Sequence, residues 1–234
     1  MRPCRRRWLS SWINLREKMK FDLLIFDWDG TLMDSEAHII ACVEAAVKDL
    51  KLVVPSQAAI RDIIGLGLHE AVNRLYPGSE PDLHLQIAAR YRLHFFKQNG
   101  TPSALFEGAR EVLSELLRQG YILAVATGKG RKGLDYALQS TGLGDCFHLT
   151  RCADESFSKP HPEMLNQILE QTGVEPRQAL MIGDTEYDLE MAVNAGMPSL
   201  AVTYGTHSRE RLLKHNPLAC VDRITEIPAW LDSD

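Results

Sequence analysis

The chain has 234 residues, 45% hydrophobic and 24% charged, enough to bury one large core or a core with a smaller partner. A formal net charge of −5 provides no basic face for nucleic acid, though an anionic small ligand is still admissible where a cation and one lysine reverse the local field. Five scattered cysteines with no C-x-x-C pair argue against a disulfide framework or a zinc site and fit a reducing cytoplasm, and no apolar run approaches the ~18–20 residues of a membrane span.

Residues 1–20 are basic: Arg2, Arg5, Arg6, Arg7, Arg16, Lys18 and Lys20 face only Glu17. They lack the long apolar region of a signal peptide. The next run, Phe21 to Phe26, is apolar except for Asp22 and stops at Asp27-Trp28-Asp29-Gly30-Thr31. A short apolar run ended by Asp and Gly reads as a buried parallel strand whose carboxyl end meets a turn.

From Ser35 to Leu105 no convincing strand is legible. Glu36–Leu50, Ser56–Leu75 and Pro81–Gln98 carry helical periodicity, punctuated by Pro55, Pro77-Gly78 and Gly100 with Pro102. Strands are then expected at Tyr121–Ala126, Ala179–Ile182, Ser199–Thr203 and Ala219–Val221. Helices fall between and beside them at Ala109–Arg118, Leu134–Ser140, Pro162–Gln171 and Tyr187–Asn194. This alternation predicts an α/β fold, a doubly wound parallel sheet, with its ligand site beyond the carboxyl ends of the strands. A helical insertion directly after the first strand would sit above that strand as a cap. The expected division is 21–34 and 106–234 for the core, 35–105 for the helical cap, and 1–20 for a disordered or loosely docked extension.

Asp27 and Asp29 stand two apart at a strand end, so their side chains can point the same way. Two neighbouring carboxylates repel unless a cation intervenes or one holds a proton. Alone, D-x-D-G also describes a turn in which Asp caps backbone amides. A calcium loop fails because the regular later oxygen ligands are missing. Asp184 follows another strand and Asp188 lies four residues on; with a helix starting near Thr185, both carboxylates can share one face at its positive end. Simple helix capping by Asp184 would explain the same residues. Taken together, four acids at two strand ends make a hard-oxygen site of the kind Mg2+ prefers. Thr127-Gly128-Lys129 follow a strand and offer a hydroxyl and backbone amides where a helix begins. Lys159 precedes a helix, and Pro160 and Pro162 restrict the backbone that aims it.

In order, Asp27-Trp28-Asp29-Gly30-Thr31, Thr127, Lys159-Pro160 and Gly183-Asp184 with Asp188 resemble the four motifs of the haloacid dehalogenase superfamily, spread from Phe21 to Trp230. The helical insertion is similar to the cap of the phosphoglycolate phosphatase-like branch, as are Ile63-Ile64-Gly65-Leu66-Gly67 and Ala201-Val202-Thr203-Tyr204-Gly205. Trp28 departs from the Leu or Phe usual at its position.

The resemblance implies a Mg2+-dependent phosphatase for a small phosphorylated metabolite. It makes Asp27 the nucleophile and a metal ligand. It makes Asp29 the acid/base, with its main-chain carbonyl also on the metal. Thr127 and Gly128 would bind the phosphoryl group, and Lys159 would neutralise it. Asp184 would ligate the metal directly, and Asp188 would ligate it or orient its waters and Lys159. Gly65 and Gly67 are candidate specificity positions, where the lack of a side chain lets backbone approach the substrate.

Elementary chemistry agrees: a carboxylate attacking a phosphate monoester needs its charge repulsion offset, and a covalent intermediate divides one hard displacement into two. A dehalogenase or phosphonate hydrolase is disfavoured by Asp29, and a non-catalytic binding protein by the full set of motif aspartates. A sugar-phosphate mutase would use the same acids and differ mainly in the cap. The oligomeric state is not legible.

Overall fold

The computed structural model describes residues 20–97 and 103–233. The basic segment up to Met19 and the Gly100–Pro102 break lie outside the described residues. The first elements are strands β1 (Leu23–Phe26) and β2 (Met33–Asp34), then helices α1 (Glu36–Asp49), α2 (Gln57–Asp62), α3 (Leu68–Leu75) and α4 (Pro81–Phe96). Next come β3 (Ala104–Leu105), α5 (Ala109–Gln119), β4 (Ile122–Thr127), α6 (Arg131–Thr141) and β5 (Leu149–Cys152). The chain continues through α7 (Glu163–Thr172), β6 (Ala179–Gly183), α8 (Glu186–Asn194) and β7 (Ser199–Val202). It closes with α9 (Arg209–Leu213), β8 (Ala219–Val221) and α10 (Ile227–Ser233).

Six strands form one parallel sheet in the order β5-β4-β1-β6-β7-β8. Strand β1 lies inside it, pairing Leu23 with Ile122 on one side and with Ala179 on the other. Its side chains alternate between two cores, as strand geometry requires. Leu24 and Phe26 pack with Val112, Leu113 and Leu116 of α5. Leu23 and Ile25 pack with Met164, Leu165 and Ile168 of α7. Both faces are covered, which is why the strand is uniformly apolar. Each of these four side chains is fully buried, and burial of this kind contributes roughly 1.5–3 kcal/mol apiece.

Helices α1 to α4 form a separate layer with its own small cores, Ile39, Ile40, Val43, Ile60 and Ile64 in one and Val47, Val72 and Ile87 in another. The segments entering and leaving this layer pair as a short antiparallel ribbon, Met33 opposite Leu105 and Asp34 opposite Ala104. Among the described residues, no helix is long and apolar enough to cross a membrane.

Three features differ from the expectations. The single helix expected over Ser56–Leu75 is two helices, because Gly65 adopts φ +96° and Gly67 becomes the N-cap of α3. A left-handed φ is accessible to glycine and ends a helix. The two-residue strand β3 falls inside the stretch read as strand-free. Strand β5 went unpredicted: it is an edge strand, half-exposed and carrying Thr150 and Arg151, so it has no continuous apolar signature.

Candidate active site

The backbone amide of Asp27 donates to the Ile182 carbonyl at 2.9 Å, continuing the β1–β6 ladder one residue past β1. Asp27 therefore stands at the carboxyl end of a central strand, fully buried. Strand β6 ends at Gly183, which places Asp184 beside it, also fully buried. Asp184 accepts from the Thr31 hydroxyl at 2.9 Å and from the Thr206 amide at 2.8 Å. The turn after Asp27 passes directly over this carboxylate. Gly30 has φ +79°, and a Cβ there would lie 2.1 Å from Asp184 Oδ2, so no side chain fits.

Asp188 lies in the first turn of α8 and forms a capping box with Thr185. Its Oδ2 accepts from the Thr185 amide at 3.1 Å and hydroxyl at 2.6 Å. Its other oxygen faces Lys159, whose Nζ lies 2.6 Å from Asp188 Oδ1 and 2.7 Å from Asp27 Oδ1. The lysine is held in the loop before α7, and its peptide bond to Pro160 is cis. The cap of this helix is made by Thr185 with Asp188 and not by Asp184, the simple capping residue considered from the sequence, and Asp188 both caps and joins the cluster.

Ligand atoms of Asp27, Asp184 and Asp188 all lie within 4.8 Å of one another. One ammonium cannot balance three buried carboxylates. Burial pushes the Asp27 carboxyl well above the usual range against the pull of Lys159, and Asp188 and Asp184 add to the rise. Burial, with repulsion from Asp188, lifts Asp184 to about 7 despite its hydrogen bonds to Thr206 and Thr31. Burial lowers the affinity of Lys159 for its proton, but Asp188 and Asp27 outweigh it and hold the ammonium firmly charged. Asp27 Oδ2 is buried with no hydrogen-bond partner among the described residues. An orphaned carboxylate oxygen beside two other hard-oxygen donors fits a divalent cation.

Asp29 points elsewhere. Its carboxylate is outside the cluster and accepts from the Ser35 hydroxyl at 2.5 Å, with Lys129 Nζ 2.9 Å from the same oxygen. Thr127 is fully buried at the end of β4, next to β1, and its Oγ1 accepts from the Lys129 amide at 3.2 Å. Asp29, Gly128 and Lys129 border a cavity of about 880 Å³ between the sheet and the helical layer, with Gly65, Tyr91 and Phe95 on the helical side.

Gly65 and Gly67 both line this cavity. Their nearest neighbours are core side chains: a Cβ at Gly65 would lie 3.1 Å from Thr185 Oγ1, and one at Gly67 3.0 Å from the Cβ of Ala153. The Gly67 amide also donates to Ser158 Oγ at 2.8 Å. Trp28 fills the core beneath the site, edge-on to Phe147 with ring centroids 6.3 Å apart. Sequence reasoning missed both Lys129 and Ser35 as partners of Asp29. Nothing in local spacing joins residues 29 and 129; only the β1–β4 pairing does.

A sequence profile of the haloacid dehalogenase-like hydrolases matches residues 24–202. The chain belongs to this family. A relative from Dickeya dadantii named "Probable phosphatase IndB" is 36% identical over 209 residues, covering 88% of this chain and 91% of its own. A phosphoglycolate phosphatase of Vibrio vulnificus is 30% identical over 219 residues, covering 90% and 96%. A crystal structure from Haemophilus somnus, described as a "predicted phosphoglycolate phosphatase", superposes with a TM-score of 0.83 at 26% identity, covering 91% of this chain and 99% of that one. The family's α/β core is the doubly wound sheet described above.

Proposed function

We propose that this haloacid dehalogenase-like hydrolase is a Mg2+-dependent phosphatase that cleaves a small phosphate monoester of the phosphoglycolate type through an aspartyl phosphate on Asp27. The observation that carries the reading is Lys159, buried between Asp27 and Asp188 beside Asp184. The names of the relatives support phosphate-ester hydrolysis. The four free cysteines among the described residues suit a reducing cytoplasm.

Asp27 attacks phosphorus, and the ester oxygen departs with a proton supplied by Asp29. Asp29 then takes a proton from the water that opens the aspartyl phosphate, so both steps use one acid/base. The Thr127 hydroxyl accepts from the Lys129 amide, which leaves its hydrogen free for a phosphoryl oxygen, with the Gly128 amide beside it. Lys159 offsets phosphoryl charge at the nucleophile's side. Asp27, Asp184 and Asp188, with the Asp29 main-chain carbonyl, are the groups that would hold the cation. When bound, it offsets the repulsion between the attacking carboxylate and the phosphoryl group.

The test is phosphate release from a panel of small phosphorylated metabolites, with and without Mg2+. Release that depends on Mg2+ is expected. Metal-free hydrolysis of a haloacid without phosphate release would overturn the reading, and isomerisation of a sugar phosphate without free phosphate would assign a mutase instead.

A further inference from the structure

Lys129 is an unusual lysine. Its side chain is only 7% exposed, and its Nζ lies 2.9 Å from Asp29 Oδ1. The ammonium also sits 4.7 Å from the centre of the Phe95 ring, which belongs to α4 of the helical layer. It is therefore gripped between the acid/base carboxylate on one side and an aromatic face on the other, at the wall of the cavity. A desolvated ammonium of this kind is stable only where anions or π-faces meet it.

The other cations around the cavity are differently placed. Arg131 is committed to Glu155 and Thr150 through several hydrogen bonds. Arg92 and Lys132 are exposed. An ammonium has three donors, and Asp29 takes one of those of Lys129. Asp29 Oδ1 in turn already accepts from Ser35, so it does not depend on Lys129 alone.

On this basis we propose, building on the phosphatase reading, that Lys129 is a specificity-determining residue that binds a second anionic group of the substrate. If Asp29 protonates the ester oxygen, that oxygen must lie beside it. An anion only one or two atoms further along the leaving group then falls within reach of Lys129 Nζ. The substrate class is a short phosphate monoester with a carboxylate or a second phosphoryl group close to the ester oxygen. Phe95 places the same ammonium against the helical layer, so anion binding and closure of the cavity draw on one side chain.

The experiment compares phosphoglycolate with 2-hydroxyethyl phosphate, which differs by a carboxylate against a neutral alcohol, in the full chain with Mg2+. 4-Nitrophenyl phosphate serves as the reference substrate. The native enzyme is expected to favour phosphoglycolate in kcat/KM by about tenfold to a hundredfold, the range of a charge-assisted hydrogen bond. Lys129→Met should bring the two to within about threefold, mainly by raising KM for phosphoglycolate, and Lys129→Arg should keep part of the preference, as a charged hydrogen bond requires. Weaker competitive inhibition of 4-nitrophenyl phosphate turnover by glycolate in Lys129→Met than in the native enzyme gives the same reading from binding. A native ratio near one would overturn the proposal, as would an equal loss on both substrates in a Lys129→Met variant folded by circular dichroism. If Lys129→Met does not fold, Lys129→Gln takes its place and the same ratio and glycolate inhibition decide. Failure to hydrolyse any of the three esters, 4-nitrophenyl phosphate included, would instead remove the phosphatase reading beneath it.

Discussion

The Tyr187 hydroxyl donates to the Asp62 carbonyl at 2.6 Å, joining the helix that carries Asp188 to the helical layer above. Arg74 donates to the same hydroxyl at 2.7 Å and covers the Tyr187 ring at 4.9 Å, while Arg211 reaches Asp62 from the core. Tyr187→Phe keeps the ring and removes two hydrogen bonds. A bond of this kind contributes about 1 kcal/mol, so Tm is expected to fall by several degrees. The fall should come with a higher KM for small substrates as the layer loosens. Differential scanning calorimetry and steady-state kinetics check this, and an unchanged Tm would show that the contact is not maintained in solution.

Asp27→Asn is expected to abolish turnover and to prevent a beryllium-fluoride adduct at residue 27, because an amide cannot form the acyl phosphate. The variant should remain folded, since Lys159 retains Asp188 at 2.6 Å. Near-normal turnover in a sample shown by mass spectrometry to be free of deamidation would remove Asp27 as nucleophile.

Asp29→Asn and Asp184→Asn should separate chemistry from cation binding. The carboxylate of Asp29 lies outside the acidic cluster that includes Asp184. Asp29→Asn is expected to lower kcat by at least ~10²-fold while the rise in Tm on adding Mg2+ persists. Asp184→Asn should reduce that rise. Equal loss of the Mg2+ response in both variants contradicts the division of labour.

A Cβ at Gly128 would lie 2.4 Å from the Gly65 carbonyl oxygen and 2.6 Å from that of Leu66. Both obstacles are backbone, so Gly128→Ala should force the strand-end loop and the helical layer apart. Gly65→Val adds a side chain where φ is +96° and turns it toward Thr185, 3.1 Å from a Cβ at this position, which displaces the same Gly65 backbone. Both variants are expected to lose more kcat/KM on phosphoglycolate than on 4-nitrophenyl phosphate. Equal losses on both substrates would mean that the contact serves stability and not selection.

Burial pushes the Cys42 thiol up to about 11 and the Cys152 thiol up to about 12, against nearby Lys129 and Arg131. At pH 8 the thiolate of Cys42 is therefore about one part in a thousand, and that of Cys152 less still. Alkylation mapped by mass spectrometry should spare both in the native protein at pH 8 and modify both in denaturant. Rapid native labelling of Cys152 would show that its strand end opens.

The apolar strands were legible because both sheet faces are covered: Leu23 to Phe26 has no polar position to blur the pattern. Edge strand β5 shows one side to solvent, and its Thr150 and Arg151 read as loop. Asp184 and Asp188 could be paired from their spacing on one strand–helix junction. Their meeting with Lys159 needs the tertiary fold, since 29 residues separate Lys159 from Asp188. Lys129 shows the same limit, because its partner lies in the turn after a neighbouring strand. The Gly65 break was hidden by apolar neighbours that continue the helical period on both sides.

The ribbon of Met33–Asp34 with Ala104–Leu105 brings the entry and exit of the helical layer together. Two antiparallel strands in register can be joined by a turn of about two residues. The chain that carries α1 to α4 therefore leaves the core and returns to it at one place. On the phosphatase reading, selectivity would then change between the two strands of the ribbon while the strand ends that carry Asp27, Thr127 and Asp184 keep their register.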